Sequence, residues 1–502
     1  MPRSQPTPTF ITEIPLQVNP VEEQVLLVRL EAGRQLYNAC LGEALKRVRL
    51  MRQSKAHARA RKMPPGKERT RAFNVVNQEF HYSEYALHAY ATRIRHSWIG
   101  EHIDSNTAQT LATRAFKASQ RLLFGRAKRV RFKGKNQMDS LEGKTNKQGI
   151  RWAKGSFVWG DLKLSPLLKS NDPVILHGLN SRIKYVRLVR RKYNGKNRFY
   201  AQLVNEGKPL QKPSNSIGTD TIGLDLGPST IAIVGSQEAR LSLFAAELGD
   251  KTRQVRRLQR QIDRQRRANN PQNYNPNGTI KPGKKQWHKS QRQRRTETRL
   301  ANIHRRLAAH RKSLHGRMAN DILRQGHTIK TEKLSYRAFQ KCFGKSVGLR
   351  APGSFVSRLK QKAENAGGRL EEFPTRTTAL SQTCHCGRRE KKSLSQRVHQ
   401  CRCGVVAQRD LYSAFLARFV EGEEQLLSIK QAQKVWSEGA ERLLGSAWQQ
   451  ALINSQLNGR VPSSFGKLSE LERVAPNVLV EATESPNVVP RVGGESGKGC
   501  EC

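Results

Sequence analysis

The chain has 502 residues, 91 Lys and Arg against 40 Asp and Glu, a formal net charge of +51 and a pI near 10.8. That length allows two to four domains, and that field selects polyanionic partners, nucleic acid ahead of an anionic membrane surface, for which the sequence offers no amphipathic anchor. There is no run of 18 or more apolar residues to span a bilayer, and Met1-Pro2-Arg3-Ser4-Gln5-Pro6 lacks the apolar core of a signal peptide. The expectation is a cytoplasmic protein, in which the eight cysteines are not primarily a disulfide framework.

Residues 1–25 contain an extended run, Thr9 to Val18, expected as an edge strand. From about Glu22 to Ala127 the pattern is helical, with Leu26, Leu30 and Leu36 among Ala and Arg and a break at Pro64-Pro65-Gly66. Thr107 to Leu123 sets Leu111, Ala115, Ala118 and Leu122 near the helical period of about 3.6. From about Val130 to Val204 the reading changes to strands. Phe157-Val158-Trp159 and Val174-Ile175-Leu176-His177 are short apolar runs, and Ile183 to Val189 alternates apolar with basic. Arg191 to Val204 reads as a hairpin turning at Asn194-Gly195. A small basic β-barrel is expected there, followed by a linker at 208–217. Gly218 to Glu247 reads as three consecutive strands opening a mixed sheet. Lys251 to Asn320 is helical, broken by a loop from Asn269 to Gly283, and carries 21 Arg and Lys against two acids, Asp263 and Glu297. A one-sign helix repels itself unless a polyanion covers it, which argues against a merely solvated surface. Little packed structure is expected after Ala475.

Three carboxylates stand out. Asp225 lies in Ile222-Gly223-Leu224-Asp225-Leu226-Gly227, where strand alternation takes it off the face used by Leu224 and Gly227-Pro228 ends the strand. Glu332 lies in the alternating stretch Thr328 to Leu334, and Asp410 opens the helical run Leu411, Ala414, Phe415, Leu416. Each has a bland reading: a strand-end turn former, a partner for Lys330, and a helix N-terminal acid. Together they match the needs of phosphodiester hydrolysis by two Mg²⁺ ions about 4 Å apart, held by hard oxygen ligands.

Cys384-His385-Cys386-Gly387 and Cys401-Arg402-Cys403-Gly404 form two matched pairs. Four thiolates suit tetrahedral Zn²⁺, and the glycines let the chain turn round it. A metal-free vestige, two disulfides, or His385 replacing one thiolate are the alternatives. Cys40 and Cys342 are expected as buried small hydrophobes, and Cys500 and Cys502 are given no role.

The order IGLDLGPST, TEKLS, cysteine-rich insert entered by Ser381-Gln382-Thr383-Cys384, then AQRDLYSAFLA resembles the split RuvC-type nuclease of the TnpB transposon proteins and their descendants, the type V CRISPR effectors. The clear motifs span about 218–418; the earlier segments match only in order and character. The resemblance implies a multidomain α+β fold: an RNase H-like (RuvC) mixed α/β nuclease domain with an inserted zinc ribbon, preceded by a basic wedge β-barrel and an α-helical recognition domain. The implied layout is 1–25 and 129–207 for the wedge, 26–128 for recognition, 218–375 for RuvC with basic helices at 251–320, 376–408 for the ribbon, 409–474 for the C-terminal RuvC helices and 475–502 for a flexible tail. It implies catalytic Mg²⁺ on Asp225, Glu332 and Asp410, structural Zn²⁺ on Cys384, Cys386, Cys401 and Cys403, and guide RNA and target DNA as partners. Arg256, Arg257, Arg260, Arg264, Arg266 and Arg267 are the expected phosphate contacts, since the guanidinium fork is bidentate.

Two positions depart from the family pattern D-x-N-A-A with a preceding acid: Tyr412 replaces the Asn and Gln408 replaces the acid. The leading expectation is an RNA-guided DNA endonuclease. RNA-guided DNA binding without cleavage is the alternative, and a guide-free recombinase or junction resolvase is a third, disfavoured by the long basic region and the cysteine insert.

Overall fold

A computed structural model describes residues 7–168, 171–393, 395–457 and 461–466. The tail 475–502, with Cys500 and Cys502, lies outside them. The chain divides into two units, Met1–Leu210 and Gln211–Cys502, and the division falls inside the proline-containing segment 208–217.

In the first unit, β1 (Thr9–Pro15) is followed by five helices: α1 (Pro20–Gln53), α2 (Lys55–Lys62), α3 (Lys67–Glu79), α4 (Glu84–Arg95) and α5 (Ser105–Leu123). Helix α1 starts where it does because Asn19 and Glu22 form a reciprocal capping box with a proline in the first turn. Leu26, Leu30, Leu36 and Cys40 of α1 share one core with Leu111 and Ala115 of α5. Strands β2 (Ser140–Glu142), β3 (Arg151–Ala153), β4 (Ser156–Trp159) and β5 (Leu162–Leu164) precede α6 (Pro173–Asn180) and the long hairpin β6 (Ile183–Tyr193) and β7 (Lys196–Glu206). The hairpin turns at Asn194 and Gly195, both at positive φ (50° and 82°), as the twist of a two-residue turn demands.

Strand pairing gives one sheet in the order β1-β7-β6-β2, with β1 at the edge, and a second in the order β3-β4-β5. The isolated bridge Leu16–Pro166 links the ends of the two sheets, and no ladder closes β2 onto β3 among the described residues. The strands expected between Val130 and Val204 are thus present as two small sheets. The stretch Val174–His177 is a correction: it lies in α6, not in a strand. Asp172 accepts the Val174 N–H at 2.9 Å and Pro173 sits in the first turn, so capping overrides the β-branched character of the run.

The second unit is built on a mixed sheet. Strands β8 (Asp220–Leu226), β9 (Thr230–Val234) and β10 (Ala239–Leu243) are antiparallel neighbours. The basic helices α7 (Thr252–Ala268) and α8 (Gln291–Gln325) follow, and then β11 (Gly326–Glu332), which pairs parallel with β8. Helices α9 (Tyr336–Arg350) and α10 (Pro352–Asn365) lead to β12 (Arg369–Phe373), parallel to β11, so the order is β10-β9-β8-β11-β12. A short α11 (Thr375–Thr378), the hairpin β13 (Val398–Gln400) and β14 (Val406–Gln408), helix α12 (Arg409–Ala417), the small pair β15 (Val420–Glu421) and β16 (Leu426–Leu427), and helices α13 (Ile429–Val435) and α14 (Glu441–Leu457) complete it.

Ile222, Leu224 and Leu226 pack on one side of the sheet with Ile322 of α8 and Phe355 and Leu359 of α10. Ala232 and Val234 pack on the other with Leu411, Phe415 and Trp448 from α12 and α14. Helix α12 is buried over nearly its whole length. Cys342 is a second correction: it is exposed, because none of the described residues of α9 is buried, whereas Cys40 sits in the core and its thiol is pushed up to about 12 by burial.

Candidate active site and metal centre

The register of β8 and β11 brings two acids side by side. Thr331 pairs with Leu224, so Glu332 and Asp225 are the next residues along adjacent parallel strands, whose spacing is about 4.8 Å. The third acid comes from the helix covering that face. A Cβ built on Gly223 would lie 1.8 Å from the Ala414 carbonyl oxygen, so strand and helix touch backbone to backbone at this glycine. From there the two elements stay in step. Two strand residues, about 6.6 Å, separate Gly223 from Asp225, and four helical residues, about 6 Å, separate Ala414 from Asp410. All three carboxylates line one cleft of about 1100 Å³.

The cleft's electrostatics follow from this convergence. Burial, then the Asp410 and Glu332 carboxylates, raise Asp225 well above the usual carboxylate range, against the pull of the Arg409 guanidinium. Burial likewise raises Glu332, although its carboxylate accepts the Leu380 N–H at 3.1 Å and the Thr378 hydroxyl at 3.5 Å. Arg409 donates from Nε to Asp410 at 3.3 Å and from Nη1 to the Ser393 and Gln396 carbonyls at 3.3 and 2.9 Å. Lys392, Arg397 and Arg350 also line the cleft.

The bland readings fare differently: Asp410 does lie in the first turn of α12, whereas those of Glu332 and Asp225 find no support. Lys330 is buried and donates to the Arg418 and Val420 carbonyls at 3.1 and 2.8 Å, so it is not the partner of Glu332. The turn after β8 is closed by the Gly227 N–H on the Thr230 carbonyl, without Asp225. At the start of α12 the capping duty belongs to Gln408, whose Oε1 accepts the Leu411 N–H at 2.8 Å and whose Nε2 donates to the Ser464 carbonyl at 3.2 Å. Gln408, one of the two departures from the expected pattern, is thus a helix cap.

Beside α12, the Sγ atoms of Cys384, Cys386, Cys401 and Cys403 all lie within 4.8 Å of one another. Cys384 faces Cys403 at 3.5 Å and Cys386 faces Cys401 at 3.6 Å. These are free thiols, at separations close to the roughly 3.8 Å edge of a tetrahedron with Zn–S near 2.3 Å. The donor set therefore fits Zn²⁺, and the disulfide alternative is corrected. Gly387 and Gly404 turn the two knuckles at positive φ (86° and 95°). Burial raises the Cys384 thiol to about 12. At Cys401 burial opposes the change, but the backbone hydrogen bond from Cys403 and the neighbouring thiols bring the thiol down to about 7. His385 does not replace a thiolate: its Nδ1 lies 2.9 Å from the Tyr412 hydroxyl and its ring packs on Trp436.

The basic helix divides. Arg256, Arg257, Arg260 and Arg264 are exposed along α7. Arg266 and Arg267 differ from these four in also making contacts within the protein, although Arg267 is exposed as well. Arg266 stacks 3.8 Å over the Trp287 ring, and Arg267 bonds Asp263 and the Gly278 carbonyl, both at distances of 2.8–2.9 Å, while covering Tyr274. They staple the 269–290 loop to the helix. Gly223, Lys392 and Arg397 are the residues at the site that sequence reasoning missed. A glycine inside an apolar strand is the signal that marks Gly223; nothing local marks the two cations.

One expected result follows from the Gly223 contact. Gly223→Ala should destabilise the second unit by more than the usual 1–3 kcal/mol of overpacking, because the clash is with backbone. Thermal unfolding checks it, and a wild-type midpoint would disprove the close approach.

Residues 353–416, from α10 into α12, match the family described as Cas12f1-like, TNB domain. No curated protein matches the chain. Among solved structures, a Cas12f1–sgRNA–target DNA complex is similar at 12% identity and a TM-score of 0.40, over 81% of this chain and 98% of that one. A CRISPR–Cas12f ternary complex is similar at 12% identity and a TM-score of 0.27, over 78% and 81%. The resemblance to TnpB-like proteins and compact type V CRISPR effectors is supported by this match of residues 353–416 to the Cas12f1-like TNB domain family.

Proposed function

We propose that the chain is an RNA-guided DNA endonuclease that hydrolyses target phosphodiesters at Asp225, Glu332 and Asp410 with two Mg²⁺ ions. The observation that carries the reading is the convergence of these three acids, from β8, β11 and α12, in one cleft beside the four-cysteine cluster. The strand order β10-β9-β8-β11-β12, first three antiparallel and last two parallel, is that of an RNase H-like nuclease sheet and supports a RuvC domain. The donor set suits Mg²⁺: all oxygen, with burial and then repulsion from Asp410 and Glu332 raising Asp225, a strain that a divalent cation would relieve. Mg²⁺ would polarise the scissile phosphate and lower the pKa of attacking water; the protein's own part is to hold the three carboxylates rigidly on two strands and one buried helix.

The first unit, with its helices and two small sheets, takes the recognition and wedge roles in this reading, and guide RNA and target DNA are the partners. Sequence discrimination then falls to base pairing, with the protein contacting backbone. The complexes named above contain an sgRNA and target DNA. Among the described residues no helix is long and apolar enough to cross a membrane. The Arg409–Asp410 ion pair favours a second reading, RNA-guided binding without cleavage, because it occupies one of the three acids.

Sequencing RNA that co-purifies with the protein, then offering that complex a matched DNA target with Mg²⁺, tests both. Guided cleavage is the expected outcome; guided binding with uncut DNA would select the second reading, and no bound RNA would reject both.

The four exposed arginines of α7 give a further expectation. Replacing Arg256, Arg257, Arg260 and Arg264 with Gln should weaken guide or guide–target binding and flatten log affinity against log salt by a little under one unit per lost phosphate contact. The fold should be little affected, since all four are exposed. Unchanged affinity and slope across a salt series would place the nucleic-acid surface elsewhere.

A further inference from the structure

Tyr412 stands where the family pattern has Asn, and its surroundings explain the exchange. It lies two residues beyond Asp410 on α12, on the side of the helix turned away from the acid cleft, and is 1% exposed. His399 lies 4.3 Å from its ring centroid, and Trp436 meets it edge-on at 5.3 Å. Its hydroxyl accepts the His385 backbone N–H at 3.0 Å, lies 2.9 Å from His385 Nδ1 and lies 3.4 Å from Cys384 Sγ.

A hydroxyl has one proton and two acceptor sites. All three contacts are satisfied together in one arrangement: the backbone N–H and Nδ1–H of His385 donate to the oxygen, and the hydroxyl proton goes to sulfur. A metal-bound thiolate is the charged and therefore stronger acceptor. An Asn side chain is too short to span from α12 to the knuckle.

We propose that the Tyr412 hydroxyl is a further element of the metal site, a hydrogen-bond donor to the Cys384 sulfur that fixes the first knuckle against the helix bearing Asp410. This rests on the zinc reading of the cysteine cluster. The hydroxyl orients the sulfur and slows its departure from the ion, while its ring anchors the knuckle in the core beneath α12. Tyr412 is a positioning residue: it touches a ligand of the structural metal and not the reacting phosphate.

The test compares the full-length wild type with Tyr412→Phe, which keeps the ring, and Trp436→Leu, which removes ring packing against Tyr412 and His385 but leaves the hydroxyl and its partners in place. Zinc release to excess 4-(2-pyridylazo)resorcinol is expected to be about tenfold faster in Tyr412→Phe, the usual cost of losing a partner of a metal ligand. The thiolate-to-cobalt charge-transfer band of the Co²⁺-substituted protein should shift in the same variant, a signature that loss of packing alone does not produce. Trp436→Leu should release zinc near the wild-type rate. Equal release and superimposable cobalt spectra for wild type and Tyr412→Phe would overturn the proposal. So would acceleration in Trp436→Leu matching that in Tyr412→Phe, which would assign the effect to packing. A wild type that binds neither metal would instead overturn the zinc reading on which the proposal stands.

Discussion

Alanine at Asp225, Glu332 or Asp410 is expected to abolish Mg²⁺-dependent DNA cleavage while leaving guide and target binding nearly intact. Metal stabilisation of the transition state is worth several kcal/mol, and at about 1.36 kcal/mol per tenfold the loss should reach about three orders of magnitude or more. The three acids come from separate elements, so each variant removes a different ligand while the exposed arginines of α7 remain. Stability is not expected to fall in step: Asp225 is raised by burial and then by the Asp410 and Glu332 carboxylates, so each variant removes either the buried acid or part of the repulsion on it. Single-turnover cleavage with saturating guide is the measurement. A variant that cuts at the wild-type rate would remove its residue from the metal set. Of the three, Asp410→Ala carries the added information of freeing Arg409, whose side chain it pairs at 3.3 Å.

The second large effect concerns the cysteine cluster. Freshly purified, reduced protein is expected to carry about one Zn²⁺ per chain, and the double variant Cys401→Ser, Cys403→Ser should lose it. Structural zinc contributes folding free energy directly, about 10–16 kcal/mol of binding in small zinc-finger peptides. Here the loss should be partial and local, because Cys384 also packs in the core that contains Leu411 and Tyr412, whose other members do not touch the ion. The expected picture is zinc-free protein with raised proteolysis confined to about 383–408 and a lowered unfolding midpoint. Metal analysis finding no zinc in the wild type would leave the four thiols a vestige. Chelator treatment of the wild type should reproduce the double variant; if it strips zinc with no change in the 383–408 segment, the ion is not what orders the knuckles.

Several features were legible in the chain itself because they depend on local chemistry. The strand alternation around Asp225, the Asn194-Gly195 turn, the helical period of 107–123, the paired C-x-C-G motifs and the net charge of +51 all express short-range rules, and the corresponding strands, hairpin, helix and cysteine cluster are present. Where local signals competed, the weaker was misjudged: the apolar run Val174–His177 has β-branched character, but Asp172 and Pro173 start a helix there.

Other features depended on partners distant in the chain. Arg266 and Arg267 resemble their neighbours in sequence, yet Trp287, Tyr274 and the Gly278 carbonyl, brought back by the 269–290 loop, give these two contacts within the protein. Gly223 shows its purpose only when α12, nearly two hundred residues later, lies on it with the Ala414 carbonyl 1.8 Å from where a Cβ would be. Tyr412 and Gln408 look like defects in a motif until the fold supplies a sulfur and a helix N-terminus for them to meet. The sequence alone determined which residues carry charge, metal-binding chemistry and periodicity, since those are properties of side chains and their near neighbours. Tertiary structure decided which of them share a cleft, because the parallel pairing of β8 with β11 and the packing of α12 across Gly223 are long-range contacts that no local rule encodes.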